Sequence, residues 1–244
     1  MEPVPTVATP ATPVKADPPA DAPGAPAPRR RGRPSRPVLS REGITAAALA
    51  VIARSGYDGL TMAALARELK TAPSALYNHV ASKDEVLNWV QDDVNETIDV
   101  AGFGRDPWDL ALMRWAHSYR DAFAQHSPLI PVIAVLPITG APHTLAMYER
   151  VAEGLRGGGW PEDMVIDTIV AVESFVLGSA MDVSAPEWIF NVGDRRDLAP
   201  TFADAVSARR GSGRSAADDA FALGLNAIVA GLRATLAAAQ AARH

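Results

Sequence analysis

Residues 61–83, TMAALARELKTAPSALYNHVASK, hold the pattern that most restricts how this chain can fold. Thr61 stands where an N-cap belongs, and Met62, Leu65, Ala66 and Leu69 recur on one apolar face at helical spacing. Lys70, Thr71 and Ala72 interrupt that helix. Pro73 suits the first turn of another, where its missing N–H costs nothing. The spacing predicts this second helix over residues 73–80, with Leu76 and Val80 facing inward and Ser74, Tyr77, Asn78 and His79 carried outward. Ser82 and Glu85 then sit at capping-box spacing for a further helix, expected to run to about residue 100. A short exposed helix held at an angle by a packed one is the geometry that enters a DNA major groove. A two-helix corner without that role presents the same pattern.

Charge argues for nucleic acid once it is divided along the chain. The formal net charge is −5, yet residues 28–83 carry ten Lys/Arg against three Asp/Glu. Residues 84–244 reverse this, with twelve basic and twenty-two acidic side chains. A basic module joined to an acidic one is the footprint of a protein that meets phosphate with one end. Residues 1–28 are rich in Pro and Ala, have no periodicity, and cannot build a core. Six arginines follow, Arg29, Arg30, Arg31, Arg33, Arg36 and Arg41, and Arg31-Gly32-Arg33-Pro34 resembles the core of an AT-hook. Arg31 and Arg33 are therefore candidates for a narrow A·T minor groove, where negative potential is concentrated. A solvated basic tail is the alternative.

Helical patterning dominates the remainder. A first helix is expected over 41–55, capped by Ser40 and ended by Gly56, with Ile44, Ala47, Ala48, Val51 and Ile52 as its apolar stripe. Further helices are expected over 108–126 after an Asp106-Pro107 cap, between Pro128 and Pro137, and over 143–156, 161–181, 198–208 and 217–239. Gly157-Gly158-Gly159 is a stop and not a phosphate loop, having neither a preceding strand nor a Gly-Lys-Ser/Thr ending. The fold class is all-α. No apolar run of about eighteen residues is uninterrupted, and the N-terminus lacks the apolar region of a secretory signal. With no cysteine, disulfides and thiolate metal sites are excluded, and the chain suits a reducing cytoplasm. His117 and His126 lie nine apart and do not share a helix face, and His143 has no partner at ligand spacing. No metal, cofactor or catalytic frame is expected, so the chain is not read as an enzyme.

The run from Leu39 to Val94 resembles the DNA-binding domain of the TetR/AcrR family of bacterial transcriptional regulators. The resemblance rests on Ser55-Gly56-Tyr57-Asp58-Gly59-Leu60-Thr61, on Ser74-Ala75-Leu76-Tyr77-Asn78-His79-Val80 and on Ser82-Lys83-Asp84-Glu85-Val86-Leu87. It departs at Lys70-Thr71-Ala72-Pro73, where many members have Gly-Val-Ser. It implies three parts: an arm over 1–37, a helix-turn-helix domain over 38–98 with its motif at 61–80, and a helical ligand-binding and dimerisation domain over 99–244. Thr61, Tyr77, His79 and Lys83 would hold phosphate, and Pro73, Ser74, Ala75 and Asn78 would face bases, with Thr71 and Ala72 beside them.

The family also implies a homodimer through helices 161–181 and 217–239. Gly178 and Gly224 fit close helix approach there, since glycine costs a helix about 1 kcal/mol. Burial within one subunit explains them equally. An apolar or amphipathic effector would lie among Trp115, His117, His126, His143, Met147 and Phe175. The expected function is a repressor released from a palindromic operator by a small molecule. The alternatives are an activator, or an architectural DNA-binding protein without a ligand.

Overall fold

The described residues of the computed structural model are 39–133, 135–186, 188–210 and 215–243. The Arg-rich arm, with Arg31 and Arg33, lies outside them. Every regular element among the described residues is helical.

Local capping chemistry starts the first helices. The Ser40 hydroxyl accepts from the Gly43 N–H at 3.1 Å and opens α1, Arg41–Gly59. Gly56 breaks the helical backbone inside α1 with φ +68°, in a left-handed region that favours glycine. The Thr61 hydroxyl accepts from Ala64 N–H at 3.0 Å and opens α2, Met62–Glu68. α3 is Pro73–Leu76, and Ser82, accepting from Glu85 N–H at 3.1 Å, opens α4, Lys83–Glu96. Glu85 reaches back to the Ala81 N–H at 2.7 Å, completing a variant of the capping box. Ile44, Val51, Leu60, Leu65, Leu76 and Leu87 are buried together and fix the angles between these helices.

Two of these helices are shorter than periodicity predicts. α3 ends at Leu76, not Val80, because the backbone tightens: Asn78 and His79 donate to Ala75 and Leu76, three residues back. α4 ends at Glu96, not near residue 100. The Thr97 hydroxyl caps the Val94 carbonyl at 2.7 Å, and Asp99 N–H turns to the Ser118 hydroxyl at 2.9 Å.

The turn after α2 explains the departure at Lys70. Thr71 N–H donates to the Ala66 carbonyl at 2.9 Å and Lys70 N–H to that of Arg67 at 3.1 Å, a Schellman closure. Lys70 therefore sits at φ +52°, the left-handed position usually given to glycine. Lys70→Gly is expected to stabilise the protein by about 1 kcal/mol by removing that backbone cost. Thermal unfolding at fixed protein concentration should rise by roughly 2–4 °C. A fall would mean that the lysine side chain contributes more than its backbone costs.

The rest is a helical body. α5 (Trp108–Ala124), α7 (Pro142–Gly157), α8 (Glu162–Asp182) and α10 (Ala216–Ala241) pack around Leu112, Trp115, Phe123, Val151, Val172, Val176 and Phe221. α6 (Ile130–Ile133) and α9 (Pro200–Arg210) are shorter. The expected cap at Asp106 is instead an ion pair to Arg114 at 2.9 Å, and Pro107 precedes α5 without a side-chain cap. α4 packs against both α1 and α7, so one helix links the motif-bearing end to the body.

Candidate nucleic-acid interface

α3 and its continuation present one exposed polar face over a buried base. Leu76 and Val80 are buried beneath, while Ala72, Pro73, Ser74, Tyr77, Asn78 and His79 are exposed and Thr71 and Ala75 are half-buried. Tyr77 is 53% exposed. Thr61, also exposed, spends one acceptor on Ala64 and keeps its hydroxyl proton for a donor role. The arrangement offers a row of short polar side chains flanked by groups able to bind phosphate.

Lys83 is placed less freely. Its ammonium lies 3.7 Å from the centre of the Tyr57 ring and 3.3 Å from the Tyr57 carbonyl oxygen. This cation–π contact ties the start of α4 to the last turn of α1, beyond the break at Gly56. One of its three N–H donors serves the Tyr57 carbonyl, so a phosphate would use the others. Tyr57 is a residue that motif spacing alone did not single out for this role.

The six candidate ligand residues do not converge on one point. His117 and Phe175 meet at Phe221: the His117 ring stands edge-on to it at 4.9 Å, and Phe175 stacks on it at 5.6 Å. Trp115 and Met147 are buried in the body, with Trp115 edge-on to Tyr119 at 5.3 Å. His126 is half-buried after α5, where burial pushes its pKa below the ordinary value. His143 belongs to another locus, 3.4 Å from Asp92 and 3.6 Å from Glu96 on α4.

Two polar groups in the body have no local sequence signature. The Glu173 carboxylate on α8 accepts from the hydroxyls of Tyr119 on α5 and Tyr148 on α7. Burial, then the Glu173 charge, pushes both phenols above their ordinary pKa. Arg120 on α5 is buried, with its side chain only 7% exposed. It pairs with Asp218 at 2.8 Å, and its guanidinium lies over the Phe221 ring at 4.7 Å. Its Nε and Nη2 groups have no hydrogen-bond partner, and a buried unpaired donor costs about 1–3 kcal/mol.

α8 and α10 leave apolar surface uncovered. Ile166 is 65%, Val170 50% and Leu223 75% exposed, with Ala227, Ala230 and Ala234 also outward. Both helices are long and apolar enough to cross a membrane by length and composition. Both also carry charge, at Asp167 and Glu173 on α8 and at Asp218, Asp219 and Arg233 on α10. The two glycines differ. A side chain at Gly224 would meet Phe175 at 2.5 Å, so this glycine serves packing within the subunit. Nothing lies within 4 Å of the corresponding position at Gly178, which is exposed.

Comparison with known proteins adds to this geometry. Residues 44–90 match the family model described as "Bacterial regulatory proteins, tetR family". Residues 103–236 match that described as "Tetracyclin repressor-like, C-terminal domain". The HTH-type transcriptional repressor DrrR1 of Streptomyces coeruleorubidus is 29% identical over 153 residues, which are 62% of this chain and 56% of that protein. The chain thus spans little more than half the length of that relative. The tetracycline repressor protein class E of Escherichia coli is 26% identical over 203 residues, 81% of this chain and 92% of its own. Among solved structures, the TetR family protein ActR of Streptomyces coelicolor in complex with (S)-DNPA is similar with a TM-score of 0.65 and 27% identity. That likeness covers 81% of this chain and 98% of ActR.

Proposed function

The chain belongs to the TetR family of bacterial transcriptional regulators, and we propose that it is a dimeric repressor released from a palindromic operator by a small molecule. The observation that carries this reading is the exposed face of Pro73, Ser74, Tyr77, Asn78 and His79 over buried Leu76 and Val80. In this reading Ser74 and Ala75 meet thymine methyls and Asn78 pairs with adenine, with Pro73, Ala72 and Thr71 alongside. Thr61, Tyr77, His79 and Lys83 hold phosphate and set register. Arg31 and Arg33 extend the contact into a flanking minor groove. Residues 38–98 form the DNA-binding part and residues 99–244 the ligand-binding and dimerisation part.

The uncovered faces of α8 and α10 support the dimer in this reading. A second copy packed on Ile166, Val170, Gly178 and Leu223 would bury them, whereas a bilayer would have to accept the charges of both helices. Two subunits related by a dyad put two recognition faces about 34–36 Å apart, one helical turn of DNA. An effector then acts by binding more tightly to a dimer whose faces no longer match that spacing. Relatives support the class of response: ActR has been solved with bound small molecules.

The test is a footprint on the DNA flanking the chain's own gene. A protected palindrome is expected, and its absence from that DNA and from sites selected out of random sequence would sink the proposal. On the protected site, Lys83→Gln is expected to reduce the salt dependence of binding by about one unit of log–log slope per subunit. Tyr77→Phe, which removes a neutral contact, should weaken binding on all sequences with the slope unchanged. An unaltered slope for Lys83→Gln would confine Lys83 to its contact with Tyr57.

A further inference from the structure

Among the described residues, Arg120 is the only Lys or Arg that is buried. Its guanidinium is used from one end only. Nη1 binds Asp218 Oδ1 at 2.8 Å, while Nε and Nη2, both sealed from solvent, have no hydrogen-bond partner. These two nitrogens share one edge of the guanidinium and present the parallel pair of N–H groups that a carboxylate accepts with both oxygens. One aromatic ring lies against the same group, and two more rings pack on that ring. Phe221 lies beneath the guanidinium at 4.7 Å, with Phe175 stacked on it and His117 edge-on to it. The four side chains come from α5, α8 and α10.

We infer that the unpaired Nε–Nη2 edge of Arg120 is the anion-recognition point of the effector site, and that the effector is an ionised aromatic carboxylic acid. The inference rests on the ligand-responsive reading above and gives it a ligand class. The carboxylate takes the two parallel N–H groups, and the planar body replaces part of the Phe175–Phe221–His117 contact. Asp218 and Phe221 both lie on α10, and Leu223, on the same helix, faces outward. A ligand held by Arg120 therefore bears on the helix that also meets the second subunit.

The experiment uses the full-length protein without DNA, titrated by calorimetry with 2-naphthoate and anthraquinone-2-carboxylate, each beside its carboxamide. At least one acid is expected to bind about tenfold or more tightly than its amide, because only the anion matches the paired donors. Acid binding should shift the Nε–H resonance of Arg120 in a protein labelled with nitrogen-15 at arginine. Arg120→Lys keeps the charge but loses the paired edge, and should abolish the preference for the acid. Asp218→Asn, which leaves that edge intact, should retain it. Equal binding of acids and amides, binding of neither acid, or an undiminished preference in Arg120→Lys would each overturn the inference. If Arg120→Lys fails to fold, the wild-type acid-to-amide ratio and the Arg120 resonance decide it. Because no DNA is present, these outcomes are separate from the footprint that tests the regulator itself.

Discussion

Phe221→Ala is expected to destabilise the protein by about 3–5 kcal/mol, the range for deleting a fully buried aromatic ring. Phe221 is 2% exposed on α10 and is the point where α5, α8 and α10 meet. Removing it leaves Phe175 without its stacking partner, His117 without the ring it faces, and the Arg120 guanidinium without the surface beneath it. The last effect adds to the cavity, because a buried cation loses part of its compensation. Thermal unfolding should fall by roughly 10 °C. It must be read at one fixed protomer concentration, since the proposed dimer would make the midpoint concentration-dependent. Phe221→Leu, which refills most of the volume, should recover about half of the loss. A loss below about 1 kcal/mol would mean that α10 does not pack on its own subunit through this ring.

What could be read in the sequence was mostly what is settled within a few residues. Ser40, Thr61 and Ser82 each accept a backbone N–H three residues on, as their positions before apolar periodic stretches predict. Gly56 breaks the first helix because its backbone geometry is its own property. The end of α3 was not legible. It is set by tertiary packing, which draws both Leu76 and Val80 under one exposed turn. Lys70 shows the same limit from the other side. Its left-handed backbone is imposed by the closure onto Ala66 and Arg67, against the preference of a residue with a side chain.

In the body, choosing candidates by residue type gave a list that the structure divides. His117 and Phe175 come together only through Phe221, and His143 serves the contact with α4. Arg120 and Glu173 carried no signal, since each is surrounded by partners from other helices distant in sequence. Gly178 and Gly224 look alike in sequence, and only packing separates an exposed position from one pressed against Phe175.

The other large effect is expected at Asp92, where the helix linking the two ends of the molecule holds a fully buried carboxylate. Asp92 accepts from Arg41 Nη2 at 2.8 Å on α1, and from Thr144 N–H at 3.0 Å and its hydroxyl at 3.3 Å on α7. One side chain of α4 therefore ties the first helix of the DNA-binding part to the body. Asp92→Ala leaves the Thr144 N–H buried without an acceptor and Arg41 with only Asp93, at 3.4 Å. Because the Arg41 side chain is 33% exposed, water can compensate part of its charge. The loss should therefore lie near 2–3 kcal/mol, below the 3–5 kcal/mol of a fully buried broken pair. Asp92→Asn keeps an acceptor for Thr144 but sets its amide NH2 where Oδ2 accepts from Arg41, giving up the charge and that bond, so it should cost about 1–2 kcal/mol. The order matters more than either value. Unfolding both variants at one protomer concentration should place alanine clearly below asparagine. Equal losses would mean that the charge toward Arg41, and not the orphaned Thr144 amide, governs the joint. A negligible loss for alanine would mean that α4 is not held to α1 and α7 through this carboxylate.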